Sequence, residues 1–141
     1  MDTTTVSNVK VEERGRKAVF VNPQNTIHHK IQMDGCVIKN STCADWVVTK
    51  QGVGTVIVEL KGKHIEHGAK QVEATAVFLR GIGYNMPKLA GLIVGNGYPK
   101  ANSTLQKFQA SFRKSFGGPL HVVTKNDDFV FEKVLSSTGP K

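Results

Sequence analysis

Long apolar runs are missing from this sequence. No stretch approaches the ~18 to 20 residues that a membrane-spanning helix needs. Met1-Asp2-Thr3-Thr4-Thr5 lacks the basic start and apolar centre of a secretory signal, so a cytoplasmic protein without a membrane partner is expected. Cysteine is scarce. Cys36 and Cys43 stand seven apart with no second pair, which fits neither a disulfide framework nor paired zinc spacing, and both read as reduced, partly buried thiols. No internal repeat recurs, and no low-complexity block exceeds the opening Thr run, which excludes a repeat protein.

Acidic residues are in deficit: eleven Asp and Glu against nineteen Lys and Arg leave a formal charge of +8. That balance favours polyanionic partners, nucleic acid first, although a solvated basic surface accounts for the charge alone equally well. Aromatic residues make up only 7% and do not interleave with the basic ones, so a stacking platform for single strands is not indicated. What is present is 39% hydrophobic residues in 141, enough for one core and too little chain for a multidomain enzyme. A single domain over 1–141 is expected, with 1–15 and 136–141 as candidate flexible ends.

The first dozen residues are compatible with a helix, a strand or an arm. From Ala18 the pattern turns β-like: Ala18 to Val21 stops at Asn22-Pro23, and Ile27 to Met33 reaches the turn pair Asp34-Gly35. Cys43 to Lys50 and Gly54 to Lys61 are β-branched runs either side of Gln51-Gly52-Val53, which predicts a hairpin. Ile65, Ala69, Val72, Ala76 and Leu79 form one helical stripe ended by Gly81 and Gly83. Leu89 to Val94 has the length of a strand buried on both faces. A second helix starts near Ser103, turns Leu105, Phe108 and Phe112 inward, and stops at Gly117-Gly118-Pro119. Leu120 to Thr124 and Phe129 to Val134 then read as a terminal hairpin around Asn126-Asp127-Asp128. The fold class is α/β, a central mixed sheet flanked by helices.

The hairpin carries the chemistry. Counting outward from Gly52 pairs positions whose numbers sum to 104, so Asp45 faces Glu59. Directly opposed residues have Cβ atoms about 4.5 to 5.5 Å apart, close enough for two carboxylates to share one divalent ion. Alternation puts Lys61 on the same face. Two like charges this close are costly without a cation between them, and either a metal or Lys61 can supply it. Asp and Glu without a nearby His or Cys suit a hard cation better than zinc.

Asp45, thirteen intervening residues, and Glu59-Leu60-Lys61 closing an apolar strand before a helix resemble the core motif of the PD-(D/E)XK nuclease superfamily. The resemblance spans Ile27 to Val94. It implies a restriction-endonuclease-like α-β-β-β-α-β core in which Asp45 and Glu59 bind Mg²⁺, with Mn²⁺ as substitute, and Lys61 assists the attacking water. The Leu60 carbonyl is a candidate further ligand, and Gln71 stands where many members carry a helical Gln directed at the site. Ala44 occupies the position of the motif's Pro, and the upstream acidic ligand has Glu12, Glu13 or Asp34 as candidates.

Basic residues that can contact phosphates are Arg14 and Arg16 near the start, Lys63 after the motif, and Lys100, Lys107, Arg113 and Lys114 on or before the second helix. The expected function is metal-dependent hydrolysis of DNA or RNA phosphodiesters, with a homodimer as a candidate assembly. The alternative is a catalytically silent nuclease-fold protein that binds nucleic acid or acts as an immunity or inhibitor module.

Overall fold

Strand β8 (Gly54–Leu60) has all seven residues buried, and the architecture is organised around it. The computed structural model describes residues 2–33, 37–38, 41–60, 65–95 and 103–140. Before β8 come β1 (Asp2–Thr4), β2 (Asn8–Glu13), β3 (Arg16–Val21), β4 (His28–Gln32), the two-residue strands β5 (Val37–Ile38) and β6 (Ser41–Thr42), and β7 (Trp46–Lys50). After it come α1 (Ile65–Gly81), β9 (Leu89–Val94), α2 (Ser103–Phe116), β10 (Leu120–Val123), β11 (Asp127–Val130) and α3 (Phe131–Val134).

The main sheet has six strands in the order β1-β4-β7-β8-β9-β10. Its first half is antiparallel. β8, β9 and β10 are parallel neighbours, because α1 and α2 each carry the chain back to its starting end between them. β9 is wholly buried, as a continuous apolar run in a parallel sheet requires. A second sheet, ordered β11-β3-β2, and the small β5-β6 pair complete the set.

Three layers result. On one face of the main sheet, Val47, Ile57 and Ile93 pack with Ala69, Val72, Ala76 and Leu79 of α1 and Phe112 of α2. On the other, Val48, Val56, Val58, Leu92 and Val94 meet Val9, Val11, Phe20 and Phe129 of the second sheet, with Phe131 and Val134 of α3. Each such fully buried side chain contributes about 1.5 to 3 kcal/mol, so both outer layers are held by cores of their own.

The α/β class and the mixed sheet are as expected, but helices cover only one face at length; a sheet and the four-residue α3 cover the other. The expected terminal hairpin does not form. β10 pairs with β9 at the main sheet's edge, while β11 runs parallel to β3 in the second sheet. Phe131 and Val134 are buried at helical spacing, a pattern that alternation through Phe129 and Phe131 conceals in the sequence. The opening stretch is strand: β1 edges the main sheet and β2 lies in the second. Cys43 is disulfide-bonded, against the expected reduced thiol; the chain's other cysteine, Cys36, lies outside the described residues.

Candidate active site

β7 and β8 pair from Trp46↔Val58 to Lys50↔Gly54. This is the register counted from Gly52, and continuing it by one position sets Asp45 opposite Glu59. At that point side chains extend the ladder. The Asp45 backbone N–H donates to Glu59 Oε1 (3.2 Å), and the Leu60 N–H donates to Asp45 Oδ2 (2.8 Å). The Asp45 carbonyl accepts from the Met33 N–H at 2.9 Å, so Asp45 is fixed from both neighbouring strands. Glu59 is fully buried and Asp45 half-buried.

Helix α1 covers the pair. A Cβ built on Gly68 would lie 3.2 Å from Glu59 Cγ, so the glycine makes room for the glutamate against the helix's first turn. The positive end of the helix dipole favours a carboxylate there. One turn on, Gln71 is buried, and its Nε2 donates to the Cys43 carbonyl at 3.2 Å. The buried Thr75 hydroxyl accepts from the Ala44 N–H (2.9 Å) and donates to the Gln71 carbonyl (2.8 Å). The helix thus holds the backbone of 43 and 44, immediately before Asp45. Gly68 was not singled out from the sequence. The signal available was a glycine near the start of a helix, on the side turned to the sheet.

The other expected residues separate into groups. Lys61, Lys63, Lys100 and Asp34 lie outside the described residues. Glu12 and Glu13 belong to the layer on the opposite face: the Trp46 indole, which points away from Asp45, donates to the Glu12 carbonyl at 3.2 Å. Glu13 reaches Arg14 at 4.0 Å. Neither is brought to Asp45 and Glu59, because their stretch, compatible in sequence with a helix, a strand or an arm, is a strand of the second sheet. Among the described residues no group of three or more His, Cys, Asp or Glu side chains could hold a metal. What Asp45, Glu59 and Leu60 offer is two carboxylates and a backbone carbonyl. Such an all-oxygen donor set fits Mg²⁺, which commonly binds one or two carboxylates and completes its shell with water and substrate phosphate.

Cationic side chains gather at the same end of the sheet but in other layers. Arg14 and Gly15 form the two-residue turn of the β2–β3 hairpin, both with positive φ (49° and 79°). Asn126, just past the end of β10, clasps this turn: its Nδ2 donates to the Gly15 carbonyl (3.1 Å) and its Oδ1 accepts from the Lys17 N–H (3.0 Å). The Arg14 side chain is 94% exposed; Arg16 is half-buried, and Lys17 and Lys125 are exposed. α2 runs antiparallel to the strands, so exposed Lys107 sits toward the site end and exposed Arg113 and Lys114 toward the far end.

The buried histidines lie elsewhere. His28 is buried, donates from Nδ1 to the Thr26 carbonyl (2.9 Å), and packs edge-on against Phe131; burial pulls its pKa below the usual value. His29 bonds the Thr3 hydroxyl, and His67 is exposed on α1. The chain matches no protein-family model, and neither a curated protein nor a solved structure matches it.

Proposed function

We propose that the chain is a metal-dependent nuclease of the PD-(D/E)XK type, hydrolysing nucleic-acid phosphodiesters at Asp45 and Glu59. One observation carries the reading: two carboxylates opposed across a central hairpin, tied by reciprocal hydrogen bonds to each other's strands, with one of them fully buried. Burying one carboxylate beside another is unfavourable for both as anions, and a site that binds a divalent cation is where that arrangement becomes favourable.

Asp45, Glu59 and the Leu60 carbonyl would hold Mg²⁺ or Mn²⁺, and such an ion supplies a polarised phosphodiester and a bound water of lowered pKa. The rest is the protein's part. Bonds from the Leu60 and Met33 amides orient Asp45 before substrate arrives, so little reorganisation is left for the reaction step. Burial under α1 excludes water from Glu59 and strengthens its interaction with a cation. Lys61, next along the chain from Leu60, carries the role of orienting the attacking water or meeting the developing negative charge. Arg14, Arg16 and Lys107 are the phosphate contacts at this end of the molecule.

The test is a substrate panel of duplex, single-stranded and branched DNA and RNA, with Mg²⁺, Mn²⁺ or EDTA, for wild type, Asp45→Asn, Glu59→Gln and Lys61→Ala. Metal-dependent cleavage lost in all three variants is expected. In parallel, Mg²⁺ at tenfold excess over its Kd should stabilise wild type by about 1.4 kcal/mol and leave the two carboxylate variants unmoved. Both amides retain an oxygen for the backbone bonds, so folding is preserved. Cleavage that survives EDTA, or nucleic-acid binding without cleavage under any condition, overturns the reading; the second result favours the silent binding module.

A further inference from the structure

Helix α1 carries a second apolar stripe that no other described residue covers. Six large hydrophobic side chains stand exposed among the described residues, and three of them, Val77 (51%), Phe78 (37%) and Ile82 (61%), fall within six positions. With Ala74 and Gly81 they recur at i, i+3, i+4, i+7 and i+8, the spacing of a helix face made for burial. This stripe lies roughly opposite the inner one at Ala69, Val72, Ala76 and Leu79. Isolated exposed apolar residues are ordinary; a contiguous row on one helix marks an interaction surface.

The charges beside the row identify what fits it. Glu73 and Arg80 are seven residues apart, on the same side of the helix, and neither forms an ion pair among the described residues. Arg80 is held in position: its guanidinium lies 4.5 Å above the Phe116 ring and donates to the Ser115 carbonyl at 2.8 Å. We infer that the stripe is an isologous interface for a second copy of this chain, with the two α1 helices antiparallel across a two-fold axis between Val77 and Phe78. About that axis Val77 faces Phe78 of the second copy. Ala74 faces its Gly81, where two small residues allow close approach, and Glu73 comes within a turn of its Arg80. A parallel two-fold arrangement puts the two copies of Glu73 on opposite edges of the contact and brings neither to an Arg80, so charge complementarity selects the antiparallel one.

The inference goes beyond the nuclease reading and stands apart from it, because it is tested by mass rather than by cleavage. Sedimentation equilibrium of the full-length chain is expected to show a monomer–dimer equilibrium. Val77→Asp abolishes the dimer and leaves the circular dichroism spectrum and Tm of the protomer unchanged, since the side chain is exposed there. Glu73→Arg weakens the dimer about tenfold or more by opposing two cations, and adding Arg80→Glu restores most of the loss. A wild type that stays monomeric throughout the concentration range, a Val77→Asp variant that still dimerises, or a folded double variant no better than Glu73→Arg overturns it.

Discussion

Gly68 is the residue at which packing and chemistry meet. In a helix interior, Ala is better than Gly by about 0.8 to 1.0 kcal/mol, so Gly68→Ala taken alone should stabilise α1. Against that, the new Cβ would stand 3.2 Å from Glu59 Cγ, closer than ordinary contact, and relief requires moving the glutamate by a few tenths of an ångström. The two effects are similar in size and opposite in sign. The expected outcome is therefore a Tm within a few degrees of wild type together with a fall in Mg²⁺-induced stabilisation and in cleavage, since sub-ångström misplacement of a catalytic group costs about tenfold or more. Thermal scans with and without Mg²⁺ on the same variant separate the two. An unchanged metal response would mean that Glu59 does not bind the ion through the position it holds under α1.

At the scale of elements, the β2–β3 hairpin makes a comparable choice. Its two-residue turn needs positive φ at both positions, for which Asn-Gly is the favoured pair, yet Arg14 takes the first at φ 49°. Its 4.0 Å approach to Glu13 is solvent-exposed on the Arg14 side and is worth little. Arg14→Asn should hold or slightly raise stability while weakening nucleic-acid binding and lowering the salt-dependence slope by about one. Titrations at several salt concentrations check this, and unchanged affinity would remove Arg14 from the contacts. Elements were legible where one periodicity dominates: the all-buried run of β9, the inner stripe of α1 and the Phe-bearing face of α2 each have one reading. The cross-strand register of Asp45 and Glu59 was legible because Gly52 marks the hairpin's centre. Phe129 to Val134 was not, because Phe129 and Phe131 satisfy a strand's alternation while Phe131 and Val134 satisfy a helix. Nor was the assignment of β10 and β11 to different sheets, which depends on long-range partners. The disulfide at Cys43 leaves no mark in a spacing of seven, and Gly68 acquires meaning only once Glu59 is beneath it.

For the molecule as a whole, the site and the buried histidines lie on opposite faces of one sheet, and this separates catalysis from acid stability. His121 on β10 donates from Nε2 to the Val134 and Ser136 carbonyls (2.9 and 3.0 Å), and His28 on β4 packs against Phe131. Both therefore tie the main sheet to the α3 region. Burial lowers the pKa of each, with Lys50 and Arg113 respectively adding to the effect. Because the folded-state values are depressed, the unfolded chain takes up protons first as pH drops through about 6.5. Stability present above that pH is then lost at up to about 1.4 kcal/mol per pH unit for each histidine. Glu132 acts lower on the scale: burial pushes its carboxyl up, but the 2.7 Å bond from Lys50 outweighs this and leaves it below its usual value. Its contribution is retained through the histidine window and lost only in stronger acid. Tm should therefore decline from pH 7 toward pH 5, and His121→Gln, which keeps a donor for the carbonyls, should flatten the decline. Hydrogen exchange at pH 5 is expected to quicken first in β2, β3, β11 and α3, while α1 and the β7–β8 hairpin stay protected, since neither of these elements carries a buried histidine. Faster exchange in α1 than in the second sheet would show that acid reaches the fold through the site's side of the sheet instead.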